Sequence, residues 1–288
     1  MNSFEITPKK LKIIYKSLFR SNLKIYGNKN IILKKFSEFP KQNRNAIKFL
    51  ENVSGKENLL KTNFNNLIIA KKKINVDLKK NCLFIFKNPR YLYSLFIKKL
   101  INLSTYDAIF ESRDINDEYY FKNNNIKTGI NVAISVNTIL LKNTFVDHGT
   151  VIGKNGLAIE YFGKKKYFFP HIGRVKIGKN CYIGSNCVIM RGMIGNTIIG
   201  NNCSIGNLVN IGHNVQIGNN VTISSGVLIA GGTKIGDNST ISLGAKINEK
   251  IKIGKNCFIG VGAVVTKSFN SNSKLFGNPA YKYGSKKI

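Results

Sequence analysis

Eleven isoleucines occupy positions 199, 205, 211, 217, 223, 229, 235, 241, 247, 253 and 259, one every six residues without a break, and Val265 follows in phase. Glycine comes directly after many of them, as in Ile199-Gly200, Ile205-Gly206, Ile211-Gly212 and Ile217-Gly218. The pattern recurs earlier at Ile177-Gly178 and Ile183-Gly184, and in weaker form at Ile134, Leu140, Val146 and Ile152. A period of six matches neither the 3.6 of an α-helix nor the 2 of an alternating strand. It fits a parallel β-helix, in which each hexad is a short strand plus a corner and three hexads close one triangular coil. The aliphatic residue then points into the prism, where coils spaced about 4.8 Å apart bury continuous aliphatic columns. Gly and Asn take the corners, where a positive φ costs least.

Four of the five cysteines fit the same scheme. Cys181, Cys187, Cys203 and Cys257 each lie four positions after a repeat aliphatic residue, as second, smaller inward-facing residues, and no CxxC occurs. They read as core residues of a reducing compartment rather than as disulfides or metal ligands. Hexapeptide repeats of this kind resemble the left-handed β-helix of acyltransferases. The resemblance implies a homotrimer with active sites between subunits.

Two segments interrupt the repeat. Residues 154–170 (KNGLAIEYFGKKKYFFP) form an aromatic and basic insertion, and the phase slips by two residues around 189–199 (IMRGMIGNTII). A loop leaving a stiff prism is a natural wall for a substrate cleft. The first 125 residues have another character. Thr7-Pro8 reads as an N-cap and first helical residue, with Leu11, Ile14, Tyr15 and Leu18 on one face and lysines on the other. NLIIA at 66–70 and CLFIF at 82–86 read as buried strands, and Asn88-Pro89 opens a helix from about Tyr91 to Ile101. The expected organisation is a small α/β domain over residues 1–125, a left-handed β-helix over 126–267 and a C-terminal tail over 268–288, mainly β overall.

The 45 basic and 14 acidic residues leave a formal charge of +31. Residues 1–125 hold 25 basic and 10 acidic groups and the remainder 20 and 4, so the excess is diffuse. Only six of the basic residues are Arg, and no groove-reading module is visible, which argues against nucleic acid as partner. A diffuse positive field attracts small anions, acidic proteins and, at most peripherally, anionic lipid. No apolar run reaches the ~20 residues of a membrane span, and no export signal is evident, so a cytoplasmic location is expected.

Several strings make the resemblance narrower. Phe169-Pro170-His171-Ile172-Gly173-Arg174-Val175, Arg191-Gly192 through Ile199-Gly200, Asn207 through Asn214 (NLVNIGHN) and Gly226 through Gly231 (GVLIAG) lie in the repeat region. Ala46 through Asn52 and Lys87-Asn88-Pro89 with Tyr91 lie in the first domain. Together they resemble the UDP-3-O-(3-hydroxyacyl)glucosamine N-acyltransferases of lipid A biosynthesis. This implies transfer of an acyl group from acyl carrier protein, or coenzyme A, to the amine of a UDP-linked amino sugar, with no bound cofactor and no metal.

Such chemistry needs a base for the ammonium proton and donors for the tetrahedral oxyanion; the amine is itself the nucleophile. Of the three histidines, His148, His171 and His213, only His213 lies inside the uninterrupted repeat, at a corner where side chains leave the prism. The resemblance places the catalytic base at His213 and the backbone oxyanion donor at Gly231. It puts Asn207 near the reacting sugar, Phe49 against uracil, Asn52 on the edge of that base, and Lys250 where the family carries a His toward the donor's phosphopantetheine arm. It also shows differences: Gly206 replaces an acidic residue seven positions before the base, and Gly55 replaces the second aromatic of the uracil sandwich. The tail string Phe276-Gly277-Asn278-Pro279-Ala280 resembles that of coenzyme A-dependent sugar and serine acetyltransferases. A coenzyme A-dependent acetyl- or acyltransferase acting on another nucleotide-activated sugar, for O-antigen, capsule or glycan synthesis, is therefore the alternative. A γ-carbonic anhydrase-type hydrase would need several converging histidines, which the repeat lacks, and a non-catalytic saccharide-binding scaffold is the third reading.

Overall fold

The computed structural model describes residues 4–19, 23–37, 44–51, 65–101, 124–135 and 138–282. It divides into two compact units, residues 1–108 with 157–170, and residues 109–156 with 171–288. The insertion in the repeat thus clusters with the N-terminal unit, an assignment its position in sequence does not suggest.

The second unit is a parallel β-helix. Its strands form three parallel sheets, one per side of the coil, with residues such as Ile205, Ile223, Ile241 and Ile259 paired in register from coil to coil. Every repeat isoleucine from 199 to 259 is at most 3% exposed, and Ile134, Leu140, Val146 and Ile152 of the weaker repeats are buried in the same columns. Burying one such side chain contributes ~1.5–3 kcal/mol, so the columns dominate the stability of this unit. Cys181, Cys187, Cys203 and Cys257 are free, buried thiols facing the same interior. Each directs its Sγ–H at a backbone carbonyl of the next coil, as from Cys203 to the Gly218 oxygen at 3.1 Å. The segment after residue 267 continues the stack: Lys274–Phe276 pairs in parallel with Phe258–Ile259.

One corner carries a side-chain ladder. Asn143, Asn180, Asn202, Asn220, Asn238, Asn256 and Asn272 all adopt positive φ, between 54° and 61°. Each carboxamide donates to the oxygen of the next at 3.0–3.2 Å. Asn suits this slot because it tolerates the left-handed region and offers both a donor and an acceptor to its stacked copies.

From Asn202 to Asn256 the coil repeat is 18 residues, across the slip it is 22, and from Asn256 to Asn272 it is 16. The extra residues form a turn at Arg191–Asn196, between strands Val188–Met190 and Thr197–Ile199. Arg191 is buried and its Nε donates to the Gly173 carbonyl at 2.9 Å. Gly173 and Gly192 pack against Gly195 so tightly that a Cβ at either would meet its carbonyl oxygen.

The first unit is an α/β layer. Helix α1 (Pro8–Leu18) is capped by Thr7, whose hydroxyl accepts from the Lys10 amide, with Leu11 and Tyr15 buried. Strands β1 (Lys24–Gly27), β2 (Lys35–Phe36), β3 (Ala46–Leu50), β4 (Leu67–Ala70) and β5 (Cys82–Ile85) form a sheet in the order β1-β5-β4-β3-β2, with β1 antiparallel to β5. Helix α2 (Pro89–Leu100) is capped by Asn88. Lys48 is wholly buried in β3, and burial, reinforced by the charge of Lys35, lowers its pKa to about 8. The insertion is a β-hairpin, Ile159–Phe162 with Lys165–Phe168. Phe162 stacks on Tyr91 at 4.5 Å, and Glu160 pairs with Arg90 at 2.7 Å. No helix among the described residues is long and apolar enough to cross a membrane.

Candidate active site

The corner following the strand Asn210–Ile211 presents His213, half-buried. Its Nδ1 lies 3.1 Å from Asn214 Oδ1. That same oxygen accepts the Met193 backbone N–H at 2.9 Å. A backbone N–H can only donate, so the atom facing the imidazole is an acceptor, and Nδ1 must carry the hydrogen. In the neutral ring the remaining nitrogen, Nε2, is then the one with a lone pair. Among the described residues no carboxylate forms a hydrogen bond or ion pair with His213.

Nε2 lies over Gly231. A Cβ built on that glycine would come within 2.7 Å of Nε2 and 2.8 Å of Cε1. Gly231 occupies the same corner one coil later, and the corner is held by bonds from Gly232 N to the His213 carbonyl (2.8 Å) and from Lys250 N to the Gly231 carbonyl (2.9 Å). The Gly231 N–H itself donates to nothing among the described residues. Gly212 helps to keep it uncovered, because a Cβ there would sit 2.7 Å from the Gly231 nitrogen. A lone-pair nitrogen and an uncommitted amide on adjacent coils can take a proton and stabilise an oxyanion.

Lys250 stands at the corresponding corner of the following coil at φ 58°, its stem over Gly232 and its Nζ 3.3 Å from Glu249. Asn207 lies on the preceding corner, exposed. Its Oδ1 accepts the Ser185 amide at 2.9 Å, leaving the Nδ2 hydrogens as what it can offer outward. Phe49, in the other unit, is half-buried with its ring 4.9 Å from Tyr93. Asn52 lies outside the described residues. The repeat thus stacks His213, Gly231 and Lys250 on one corner, with Asn207 on the neighbouring one. Beside that corner, a groove of about 420 Å³ follows the outer sheet face and is lined by Asn210, Leu228, Ala230, Lys246, Asn248 and Thr266.

Other neighbours of the imidazole were given no role from sequence. His171, 2% exposed, sets its ring 5.7 Å from that of His213 at 73°. A Cβ on Gly156 would approach His171 Nε2 (3.2 Å), His213 Cδ2 (3.3 Å) and Met190 Sδ (3.3 Å) together. The string FPHIGR draws attention to His171, and the Asn following His213 to its hydrogen-bond partner; nothing in sequence joins Gly156 to either. His148 is elsewhere, its Nδ1 accepting the Ile130 amide at 2.8 Å. Among the described residues no group of three His, Cys, Asp or Glu side chains could hold a metal ion.

Residues 196–231 and 232–267 match the bacterial transferase hexapeptide (six repeats) family, and residues 174–209 match the hexapeptide repeat of succinyl-transferase. The coils that carry His213 and Gly231 lie within the matched residues. No curated protein sequence matches the chain. Similar solved structures include a Francisella novicida UDP-N-acetylglucosamine acyltransferase, 28% identical with a TM-score of 0.46, over 52% of this chain and 56% of that one. The UDP-N-acetylglucosamine O-acyltransferase of Moraxella catarrhalis is 24% identical with a TM-score of 0.43, over 56% and 63%. A perosamine N-acetyltransferase from Caulobacter crescentus is 18% identical with a TM-score of 0.24, over 54% and 57%. The chain thus spans less than two thirds of the length of each of these proteins.

Proposed function

We propose that the protein is an acyltransferase that moves an acyl group from a thioester to the amine of a nucleotide-linked amino sugar. The observation that carries this reading is the hydrogen bond between His213 Nδ1 and Asn214 Oδ1, which in the neutral ring puts the lone pair on Nε2, above a Gly231 amide that donates to nothing among the described residues. The sugar amine attacks the thioester carbonyl, Nε2 takes the proton the nitrogen sheds, and the Gly231 N–H holds the oxyanion. When the carbon–sulfur bond breaks, the imidazolium returns that proton to the departing thiolate. Lys250, with its ammonium beside the same corner, is suited to a phosphate on the donor arm, and Asn207 to a sugar hydroxyl. The resemblance of the strings around Phe49 and Asn52 supports a nucleotide site in the first unit, with UDP as the first candidate and acyl carrier protein as the first donor. A homotrimer is the expected assembly. The tail string at 276–280 favours coenzyme A and another nucleotide sugar as the second reading.

Transfer assays with acyl carrier protein and coenzyme A thioesters against a panel of UDP- and other nucleotide-linked amino sugars test both readings. Wild type should give the N-acyl product, and His213→Ala should lose it by ~10²–10⁴-fold while keeping its assembly mass. A wild type inactive across the whole panel would leave the non-catalytic scaffold as the better account.

A further inference from the structure

We infer that His171 is a positioning residue for His213, holding its imidazole in the orientation that keeps Nε2 over Gly231; this rests on the reading of His213 as the base. The χ2 torsion of a histidine is broad and roughly two-fold, so a ring flip exchanges Nδ1 with Cδ2 at little intrinsic cost. The single hydrogen bond to Asn214 is all that selects one orientation from the Nδ1 side, and His213 is half-buried, within reach of water.

The other edge of the ring meets a built wall. His171 is buried and set at 73° to the His213 ring, an edge-to-face arrangement. Gly156 lies against both rings, close to Cδ2 of His213 and Nε2 of His171, and a methyl group there would crowd each of them. The wall is tied to the polar side by one backbone segment. Ile172 N donates to the Met193 carbonyl at 2.8 Å, and Met193 N donates to Asn214 Oδ1 at 2.9 Å. Both flanks of the imidazole are thereby referred to Met193, which fixes their separation. Arg191, through its bond to the Gly173 carbonyl, anchors the segment that carries His171. The ring of His171 meets the ring of His213, and it acts through that contact.

The test compares His171→Ala, His171→Phe and the double variant His171→Ala/His213→Ala with wild type. Loss of the ring should lower kcat by ~10- to 100-fold with KM within about 3-fold, since the defect is one of orientation at the reacting atom. His171→Phe, which keeps the ring, should stay within about 3-fold of wild type, and the double variant should be no worse than His213→Ala alone. In parallel, ¹⁵N-histidine NMR should show His213 with its hydrogen on Nδ1 in wild type and a mixture of tautomers in His171→Ala. That spectrum decides the inference even if no transfer is detected, in which case the acyltransfer reading fails and the positioning role stands. An unchanged His213 tautomer in His171→Ala, a loss of thermal stability without loss of kcat, or a His171→Phe protein as impaired as His171→Ala would each overturn it.

Discussion

His213 Nε2 lies so close above the α-carbon of Gly231 that a single methyl group at position 231 would come within 2.7 Å of it. Gly231→Ala must therefore turn the imidazole away, because the backbone there is pinned by the bonds from Gly232 and Lys250. The expected outcome is a loss of ~10²-fold in kcat with an unfolding midpoint within a degree or two of wild type. Steady-state kinetics and thermal unfolding measured side by side check it, and an active alanine variant would show that the ring position is not critical.

Leu208 sits at φ 59°, in a slot that the neighbouring coils fill with Asn186 (φ 55°) and Gly226 (φ 71°). A branched side chain in the left-handed region is strained, and Leu208 is 62% exposed, so it gains little from packing within the chain. Leu208→Gly should raise the stability of the isolated chain by ~1 kcal/mol. If the variant is instead less stable and dissociates, Leu208 is held in that conformation by a contact with another copy, which concentration-dependent sedimentation would show.

Asn220 lies in the middle of the carboxamide ladder, accepting from Asn202 at 3.1 Å and donating to Asn238 at 3.0 Å, at φ 55°. Alanine removes both bonds and keeps the backbone strain; glycine removes the bonds and relieves the strain. Asn220→Ala should cost ~2–3 kcal/mol and Asn220→Gly about 1 kcal/mol less, read from denaturant midpoints. Equal losses in the two variants would mean that the ladder, not the dihedral, sets the choice of Asn.

Lys48 gives the first unit a pH dependence. Its folded-state pKa of about 8 lies below the ordinary 10.5, so between those values the unfolded chain binds more protons. The penalty for burying this ammonium is fully present below pH 8 and disappears as pH rises toward 10.5. Lys48→Met should stabilise the protein at pH 7 by up to ~3 kcal/mol. The gain should shrink across pH 8–10.5. The thiol of Cys82, pushed up to about 12 by burial, has the opposite slope above pH 9 and is common to both proteins, so the difference between them isolates Lys48. A gain that does not vary with pH would refute the assignment.

The β-helix was legible in sequence because its core obeys one rule, an aliphatic residue every sixth position, and each residue needs only its stacked copies to be buried. Ile134, Leu140, Val146 and Ile152 could be placed on that rule even where the glycines are absent. The caps at Thr7 and Asn88 were readable for the same local reason. What stayed hidden depends on contacts between distant segments. The hairpin at 159–168 joins the N-terminal unit through Phe162 on Tyr91 and Glu160 with Arg90, pairings that no spacing announces. His213 and Gly231 stand one coil apart and follow from the period, whereas His171 and Gly156 reach the ring only through the irregular turn at 191–196.

That turn also settles a question of threading. From Ile199 to Ile259 each coil offers its neighbour the same isoleucine face, so sliding that part of the stack by a whole coil would exchange like for like. The 22-residue span from Asn180 to Asn202 has no equivalent above it, and its glycines and buried Arg191 close onto the 171–174 segment. It works as an index notch on an otherwise uniform screw. Counted from it, His213 can meet only one partner coil, and a chain lengthened by one extra coil above residue 233 would keep the same two faces together.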